Sequence, residues 1–366
     1  MKIGVPKEIK RQEYRVAVTP DGVGELRSQG HEVYMEQGAG SGCSIGDTLY
    51  EECGAVILDS HEEVFARADM IYKVKEPLPE EYGLLRQDQI LFCFLHLAAD
   101  PGLTEVLLEK GGSAIAFETI QLEDGHLPLL VPMSEIAGRL SVQEGAKYLE
   151  KGFGGRGILL GGIPGLPRGS VVIIGGGTVG MNAATIAVGM GARVTIMDID
   201  KARLQFLDNL FGPCVDTLYA TTGNIRRCIE TADLVIGAVL IPGATAPTIV
   251  QRQDLKSMRE GAVIVDVSVD QGGCVETSHP TYHDDPVFLV DGIAHYCVAN
   301  MPGVVPITST WGLANATLPY ALKVAGLGME GAMRDSSIAR GINVHQGHIT
   351  HPALAESLGR PCRKIP

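Results

Sequence analysis

The chain has 366 residues, enough for roughly two domains, and its 45% hydrophobic and 20% charged residues are typical of a folded protein rather than a disordered one. A formal net charge of −13 and an aromatic content of 5% argue against nucleic acid and anionic membranes as partners. No apolar run approaches the roughly 18 residues of a membrane helix, no secretory leader is visible at the start, and the eight cysteines form no CxxC pair. We therefore expect a cytoplasmic protein that binds no metal.

The first third of the chain alternates short apolar runs with helical patterns, which predicts a mainly parallel α/β sheet. The predicted strands are Lys2–Val5, Glu32–Met35, Ala55–Leu58, Met70–Val74, Ile90–Leu95 and Ala114–Phe117. Capping residues predict helix starts at Thr19 before Pro20 and at Ser60 in a capping box, and a third helix is predicted from Pro101 to the glycine at 111.

A long helix is predicted next over Ser134–Lys151, with Ser134 as its N-cap, and a glycine-rich loop over 152–169 follows it. The α/β pattern then resumes, with predicted strands at Val171–Ile174, Arg193–Met197, Leu234–Val239, Ala262–Val267 and Val287–Val290. A second long helix is predicted from Pro306, with a kink or break at Pro319.

The last 40 or so residues are too few for a core of their own, so we expect them to return to the amino-terminal domain. The sequence thus predicts a discontinuous domain of residues 1–130 and 306–366 and a second domain of residues 131–305. The two long helices would be the bridges between these domains.

A dinucleotide-binding motif opens the second domain. The predicted strand Val171–Ile174 leads directly into Gly175-Gly176-Gly177-Thr178-Val179-Gly180, and a helical pattern follows. Gly175 permits the tight turn, Gly177 lets the backbone approach a pyrophosphate, and Gly180 lets the helix pack closely on the strand. Asp198 stands 18 residues after Gly180, the spacing expected for hydrogen bonds to an adenosine ribose. Its carboxylate favours NAD over NADP, although Arg203 nearby weakens that preference unless it is merely a solvated helix residue.

Four ionisable residues come just after predicted strands, where ligands bind in open α/β sheets. They are Arg15, Lys75, His96 and Asp270. Each alone is compatible with an ordinary surface, structural or turn residue. Together they offer a carboxylate clamp, a group that polarises a carbonyl and two acid–base groups, which with NAD suits hydride transfer at the α-carbon of a small amino or hydroxy acid. Residues from the two domains could meet only in a cleft between them.

These features together resemble the family of alanine dehydrogenases and transhydrogenase α-subunits. The segments that carry the resemblance are Met1–Glu8, Glu13–Ala17, Lys73–Pro77, Phe94–Ala98, Gly175–Gly180, Val265–Gly273 and Val298–Gly303. The resemblance spans essentially the whole chain. It implies two doubly wound, Rossmann-like domains joined by long helices with a cleft between them. It also implies an NAD-dependent, reversible oxidative deamination of L-alanine to pyruvate and ammonia by a homohexamer.

The resemblance also implies a role for each matching residue. Arg15, Lys75 and Asn300 would bind the substrate, while His96 and Asp270 would transfer protons. The cofactor would be bound by Ser134, Gly175, Gly177, Thr178, Gly180, Asp198, Arg203, Val239, Leu240, Val267, Asp270, Asn300 and Met301. Two positions depart from the family pattern: Ala220 stands where a hydroxyl near the adenine is expected, and His279 stands where Arg or Lys is expected.

Three other functions fit parts of this pattern. The soluble nucleotide-binding component of proton-translocating transhydrogenase shares the two-domain plan but needs no substrate-binding residues, so the strand-end residues count against it. A non-catalytic NAD sensor would not need acid–base groups. A dehydrogenase for another 2-oxo acid such as glyoxylate differs by little, because a pocket distinguishes one methyl group by only about 1–3 kcal/mol.

Overall fold

The chain forms two compact units in the computed structural model, which describes residues 1–239 and 246–365. One unit comprises Met1–Met133 with Gly303–Pro366, and the other comprises Ser134–Pro302. These borders lie three residues from the domain borders expected from the sequence.

The amino-terminal segment alternates strands and helices. Its strands are β1 (Lys2–Val5), β2 (Glu32–Glu36), β3 (Val56–Leu58), β4 (Met70–Tyr72), β5 (Ile90–Cys93) and β6 (Ser113–Ala116), and its helices are α1 (Pro20–Ser28), α2 (Asp47–Glu52), α3 (His61–Arg67), α4 (Pro79–Tyr82) and α5 (Pro101–Lys110). All six predicted strands are confirmed; β1 has the predicted bounds, and no end of the others is shifted by more than two residues. The predicted caps are confirmed too: the hydroxyls of Thr19 and Ser60 accept hydrogen bonds from the first turns of α1 and α3, and α5 ends at Gly111 with φ 72°.

The second unit is a seven-stranded sheet with helices. Helix α6 (Val131–Tyr148) begins three residues before this unit and continues into it. The other elements are β7 (Ser170–Ile174), α7 (Thr178–Gly189), β8 (Arg193–Asp198), α8 (Lys201–Phe211), β9 (Val215–Tyr219), α9 (Thr222–Ile229), β10 (Leu234–Gly237), α10 (Arg252–Leu255), β11 (Val263–Asp266), β12 (Val287–Val290) and β13 (Ile293–Tyr296). The strand order is β12-β13-β11-β10-β7-β8-β9, and every pair is parallel except β12 with β13. The prediction that Ser134 caps α6 is wrong, because the helix already begins at Val131 with Pro132 in its first turn.

The remaining elements extend the first unit. They are α11 (Pro306–Arg334), α12 (Ser336–Gly341), β14 (Ile342–His345), β15 (His348–Ile349) and α13 (Pro352–Leu358). Strand β14 pairs antiparallel with β6, which gives an eight-stranded sheet of order β15-β14-β6-β5-β4-β1-β2-β3.

Helix α11 is not broken at Pro319, so of the predicted kink or break the break is wrong. Its non-helical residue is Gly328, with φ 64°. The side chains of Leu313 and Ala321, on either side of Pro319, are fully buried in the core of this unit. That packing compensates for the backbone hydrogen bond that proline cannot donate.

The topology places the predicted site residues at sheet edges. Strands β1, β4, β5 and β6 are adjacent and parallel, so the residues that follow them share one edge of the first sheet. Strands β8, β7, β10 and β11 do the same in the second unit. Within the described ranges, no helix is long and apolar enough to cross a membrane.

Candidate active site

Lys75 and His96 lie against the same aromatic ring at the edge of the first sheet. The Nζ atom of Lys75 is 5.9 Å from the ring centroid of Phe94, and the imidazole of His96 stacks on that ring with centroids 5.9 Å apart. Phe94 itself is buried. Burial, together with the positive charge of Arg15, lowers the pKa of Lys75. The structure therefore brings together three of the four strand-end residues, namely those of the first unit.

His96 has a strained backbone that a carboxylate stabilises. Its φ of 49° lies in the left-handed region, which a residue with a side chain rarely adopts. Glu118, from the turn after β6, accepts hydrogen bonds from the backbone N–H of His96 at 2.6 Å and of Leu95 at 3.2 Å. This contact presents the imidazole at the strand end. The sequence pattern did not reveal Glu118.

Arg15 is buried and paired with a carboxylate of its own segment. Its Nε atom donates to Glu13 Oε1 at 2.6 Å and its Nη2 to Glu13 Oε2 at 2.5 Å, a bidentate arrangement. Burial alone would raise the pKa of Glu13, but the Arg15 guanidinium outweighs that effect and lowers it. The pair fixes the plane of the guanidinium and leaves the Nη1 side facing the sulfur of Met133 at 3.0 Å.

A buried charge network lies directly behind Lys75. Oε1 of Glu8 accepts hydrogen bonds from the backbone N–H of Val74 at 2.6 Å and of Lys75 at 3.3 Å. Lys73 Nζ lies 2.6 Å from Glu81 and 3.6 Å from Glu8. Burial raises the pKa of Glu8 to about 7, although Lys73 acts in the opposite direction. The network fixes the backbone that carries Lys75.

The glycine-rich turn in the second unit has two glycines that the fold requires and one that it does not. A Cβ at Gly175, where φ is 104°, would lie 2.4 Å from the carbonyl oxygen of Ala238, and a Cβ at Gly180 would lie 1.9 Å from that of Gly175. A Cβ at Gly177 would meet nothing within 4 Å. Gly177 immediately precedes helix α7, so the open space lies at a helix N-terminus and suits a pyrophosphate.

Asp198 and Arg203 hold this turn from the neighbouring strand and helix. Asp198 Oδ2 accepts a hydrogen bond from the N–H of Gly176 at 2.7 Å, and Arg203 Nε donates to the Gly176 carbonyl. Arg203 also packs on the ring of Phe206, with 4.8 Å to the centroid. Arg203 is thus held at the turn by its Nε atom. Each Asp198 oxygen has a second lone pair for a ribose hydroxyl.

Ser134 lies on the face of α6 that contacts the turn. A Cβ at Gly138, one helical turn further on, would lie 2.2 Å from the carbonyl oxygen of Val179. Arg139 Nε donates to Asn182 Oδ1 of α7 at 3.0 Å. Residues four apart share a helix face, so the contact at Gly138 places Ser134 on the side of α7.

Asp270 is presented by a turn that a buried carboxylate shapes. It lies in the 3₁₀ helix Val267–Gln271 directly after β11, and it is exposed. Asp266 is fully buried and accepts hydrogen bonds from the backbone N–H of Ser268 and of Cys274, both at 3.0 Å. The Asn300 N–H lies 3.5 Å from Asp270 Oδ2, and Asn300 itself has φ 59°. The structure therefore brings these two predicted residues together.

The other predicted cofactor residues have varied surroundings. The N–H of Val239 donates to Ser268 Oγ at 3.0 Å, which joins the end of β10 to the turn that contains Val267. Met301 is buried at the start of the 3₁₀ helix Met301–Val304. Leu240 lies outside the described residues.

The structure defines the contacts of Ala220 and His279, the two positions that depart from the family pattern. The N–H of Ala220 donates to the carbonyl of Asp198 at 3.0 Å, so this residue lies beside the proposed ribose-binding carboxylate. His279 stacks on Phe288 of β12, with ring centroids 3.7 Å apart, and lines an open groove of about 410 Å³. In the part of the chain that the structure describes, no group of three or more metal-ligating side chains converges.

Comparison with known proteins identifies the family. Models of the alanine dehydrogenase/PNT amino-terminal and carboxyl-terminal domains match residues 4–137 and 141–352. The chain belongs to the alanine dehydrogenase/PNT family. It is 53% identical to an alanine dehydrogenase of Methanococcus maripaludis, covering 99% of this chain and 97% of that protein. It is also 53% identical to an alanine dehydrogenase of Bacillus subtilis, covering 98% of this chain and 95% of that protein.

Solved structures of this family match the same fold. An L-alanine dehydrogenase structure superposes with a TM-score of 0.96 at 51% identity and covers 98% of this chain and 99% of that chain. A transhydrogenase from Sinorhizobium meliloti superposes with a TM-score of 0.83 at 24% identity, covering 96% of this chain and 100% of that chain, and this similarity shows the fold alone. The α/β fold with two Rossmann-like domains, expected from the sequence, is confirmed.

The sequence analysis missed four carboxylates that lie around the predicted site residues: Glu13, Glu76, Glu118 and Asp266. Glu76 directly follows Lys75, and Glu118 follows β6 as His96 follows β5. Considering every ionisable residue within a few positions of each strand end would have found both.

Proposed function

We propose that this protein catalyses the reversible, NAD-dependent oxidative deamination of L-alanine to pyruvate and ammonia. The observation that carries the proposal is the grouping of Lys75 and His96 on Phe94, where burial and the charge of Arg15 together lower the pKa of Lys75. A half-buried amine beside an imidazole suits a substrate with a carboxylate and a reacting α-carbon.

Each residue takes a separate task. Arg15, oriented by Glu13, binds the substrate carboxylate, and Lys75 stabilises negative charge that develops on the substrate oxygen. His96 and Asp270 transfer protons as water adds and ammonia leaves, and Asn300 stands beside Asp270 to contact substrate and cofactor.

The glycine turn and its partners fit a nicotinamide dinucleotide. The pyrophosphate would lie over Gly177 at the start of α7, and Asp198 would accept hydrogen bonds from the ribose, which favours NAD over NADP. NAD, when bound, accepts the α-hydrogen of alanine together with its electron pair. Ser134, Thr178, Val239, Leu240, Val267 and Met301 would complete the cofactor site.

Two further properties belong to this proposal. We expect a homohexamer, which the family resemblance implies and which light scattering would test against six times the chain mass. We also expect a cytoplasmic enzyme, because its eight cysteines all have free thiols that suit a reducing compartment.

The test is an absorbance screen for NADH formation with NAD and NADP against a panel of amino and hydroxy acids. We expect L-alanine with NAD to give the highest kcat/KM. Activity with a hydroxy acid but not with alanine would contradict the proposal.

A second experiment tests the role of His96. His96→Asn should reduce kcat by at least about 10²-fold while NADH binding is retained. His348→Asn, at an exposed histidine on β15, is the matched control and should be without effect. A folded His96→Asn variant with most of its kcat would leave His96 a structural residue.

A further inference from the structure

The buried carboxylate of Glu76 lies near one ring nitrogen of His96, Nδ1. Glu76 is 91% buried, since its exposed fraction is 9%. Its Oε2 atom has no hydrogen-bond partner among the described residues and lies 3.7 Å from His96 Nδ1. A buried carboxylate oxygen that accepts no hydrogen bond destabilises the folded state, so we expect Oε2 to accept one from the imidazole of His96.

The surroundings of Glu76 keep it ionised. Burial alone would raise its pKa, but contacts with His96 and Lys10 outweigh that effect and lower the pKa to about 2. Lys10 Nζ occupies the other oxygen, Oε1. Oε2 is therefore a negatively charged acceptor with lone pairs to offer, and a donor at Nδ1 is the partner that it fits.

We infer that Glu76 is a positioning residue for His96: its carboxylate holds Nδ1–H of the imidazole, so that Nε2 is the atom that exchanges a proton with the substrate. The distance of 3.7 Å exceeds a normal hydrogen bond by roughly 0.5–1 Å. The His96 side chain is 48% exposed, so the protein does not enclose the ring on every side. Contacts of this kind commonly tighten when substrate binds.

The other groups around His96 do not duplicate this contact. Glu118 binds the backbone N–H of His96, not the ring. Lys75 lies against Phe94, on which the imidazole stacks, and a cation cannot accept a proton from Nδ1. Lys10 reaches the ring only through Glu76. The ring orientation and tautomer thus depend on Glu76, while the backbone conformation depends on Glu118.

The inference rests on the proposed function, and Glu76→Gln tests it. This change keeps the size of the side chain and removes the charge. Carboxylates that orient a catalytic imidazole contribute up to about 10⁴-fold when fully buried, so for a half-exposed histidine we expect kcat to fall by at least about 10-fold. The KM for alanine and the affinity for NADH should not change, because Glu76 contacts neither in this scheme.

The pH profile provides a readout that a merely structural role would not move. Removing the negative charge beside the imidazole disfavours the protonated ring. The acid limb of kcat/KM for alanine should therefore move to lower pH, by up to about 0.7 unit, in Glu76→Gln. An unchanged kcat with an unchanged acid limb overturns the inference.

Three further variants separate the explanations. Glu80→Gln, at an exposed glutamate of α4, is the matched control and should behave as the unaltered protein. Lys10→Gln should not reproduce the loss, and an equal loss would mean that Glu76 serves Lys10 instead. Combining Glu76→Gln with His96→Asn should cost no more than His96→Asn alone. If His96→Asn itself keeps its kcat, the proposed role of His96 fails; if only Glu76→Gln does, the positioning role fails.

A measurement without any substitution at Glu76 covers the case in which Glu76→Gln does not fold. Nitrogen NMR of isotope-labelled histidine, assigned with His96→Asn, reports which ring nitrogen of His96 carries the proton at neutral charge. We expect the proton on Nδ1. A proton on Nε2 overturns the inference.

Discussion

Gly177→Ala tests whether the glycine at this position is required for folding or for cofactor binding. Gly177 has φ −65°, a negative angle that alanine also adopts, and its added Cβ would meet nothing within 4 Å. Alanine at this position restricts the unfolded chain, which raises the free energy of unfolding by about 0.4–1 kcal/mol. Alanine is also a poorer N-cap than glycine, which lowers that free energy by a similar amount. We therefore expect the free energy of unfolding to change by less than about 0.5 kcal/mol.

The same methyl group stands where the proposed pyrophosphate approaches the start of α7. A charge-assisted hydrogen bond contributes about 1.5–3 kcal/mol, so loss of one such bond raises the dissociation constant for NADH by about 10- to 150-fold. Denaturant unfolding measures the first quantity and a fluorescence titration with NADH measures the second. Wild-type NADH affinity in a folded Gly177→Ala variant would refute the assignment of this turn.

Two neighbouring glycines are the controls for that experiment. Gly189→Ala lies at the other end of α7, also with nothing within 4 Å of its Cβ, and should leave NADH binding unchanged. Gly180→Ala places a Cβ 1.9 Å from the carbonyl oxygen of Gly175, so it should destabilise the unit directly. A Gly180→Ala variant as stable as the unaltered chain would contradict the packing argument.

Three further predictions concern charged groups. Asp198→Ala should weaken NAD binding and reduce the preference for NAD over NADP. An unchanged ratio of kcat/KM for the two cofactors would show that Asp198 is not at the ribose. Arg15→Ala removes the bidentate guanidinium from buried Glu13, so about 3–5 kcal/mol of stability should be lost along with alanine binding. Arg15→Lys should raise the KM for alanine and leave NADH binding intact, and an equal loss of NADH affinity in Arg15→Lys would contradict the role of Arg15 in binding the substrate carboxylate. The folded pKa of Glu8, about 7, exceeds its ordinary value of 4.5, so the folded state binds more protons between these values and the contribution of Glu8 to stability is lost as pH rises through this window. Glu8→Gln should therefore flatten the decline in the free energy of unfolding between about pH 5 and about pH 8, measured by denaturant titration. An unaltered slope would be evidence against a raised pKa of Glu8 in the folded state.

Central strands could be predicted from the sequence because both of their faces are buried. β7 and β11 consist of Val, Ile and few other residues, so their apolar runs stand out. β9 was missed because it is an edge strand whose sequence, Val-Asp-Thr-Leu-Tyr, is half polar. The start of α6 was placed three residues late because Ser134 is a good N-cap type, whereas Pro132 marks the actual first turn.

The positions of the candidate site residues were predictable, but their partners were not. Residues after adjacent parallel strands must share a sheet edge, so the neighbourhood of Lys75 and His96 follows from the order of β4 and β5. Which carboxylate faces which cation depends on side-chain directions after folding, and one sequence contains no signal for that. The pairing of Arg15 with Glu13, two residues away, is an example: the spacing alone permits it without requiring it.

The carboxylates at this edge explain how an acidic protein can bind an anionic substrate. The net charge of −13 acts at long range, where salt screens it within about 10 Å. At short range each basic group is fixed by a carboxylate behind it: Glu13 holds Arg15, and Glu8 holds the backbone of Lys75. The pKa of Lys75 is lowered, so the carboxylates near it do not outweigh the effects of burial and of the positive charge of Arg15. A substrate carboxylate would relieve that repulsion, so we expect the site to bind an anion because its own acids orient the cations without neutralising all of them.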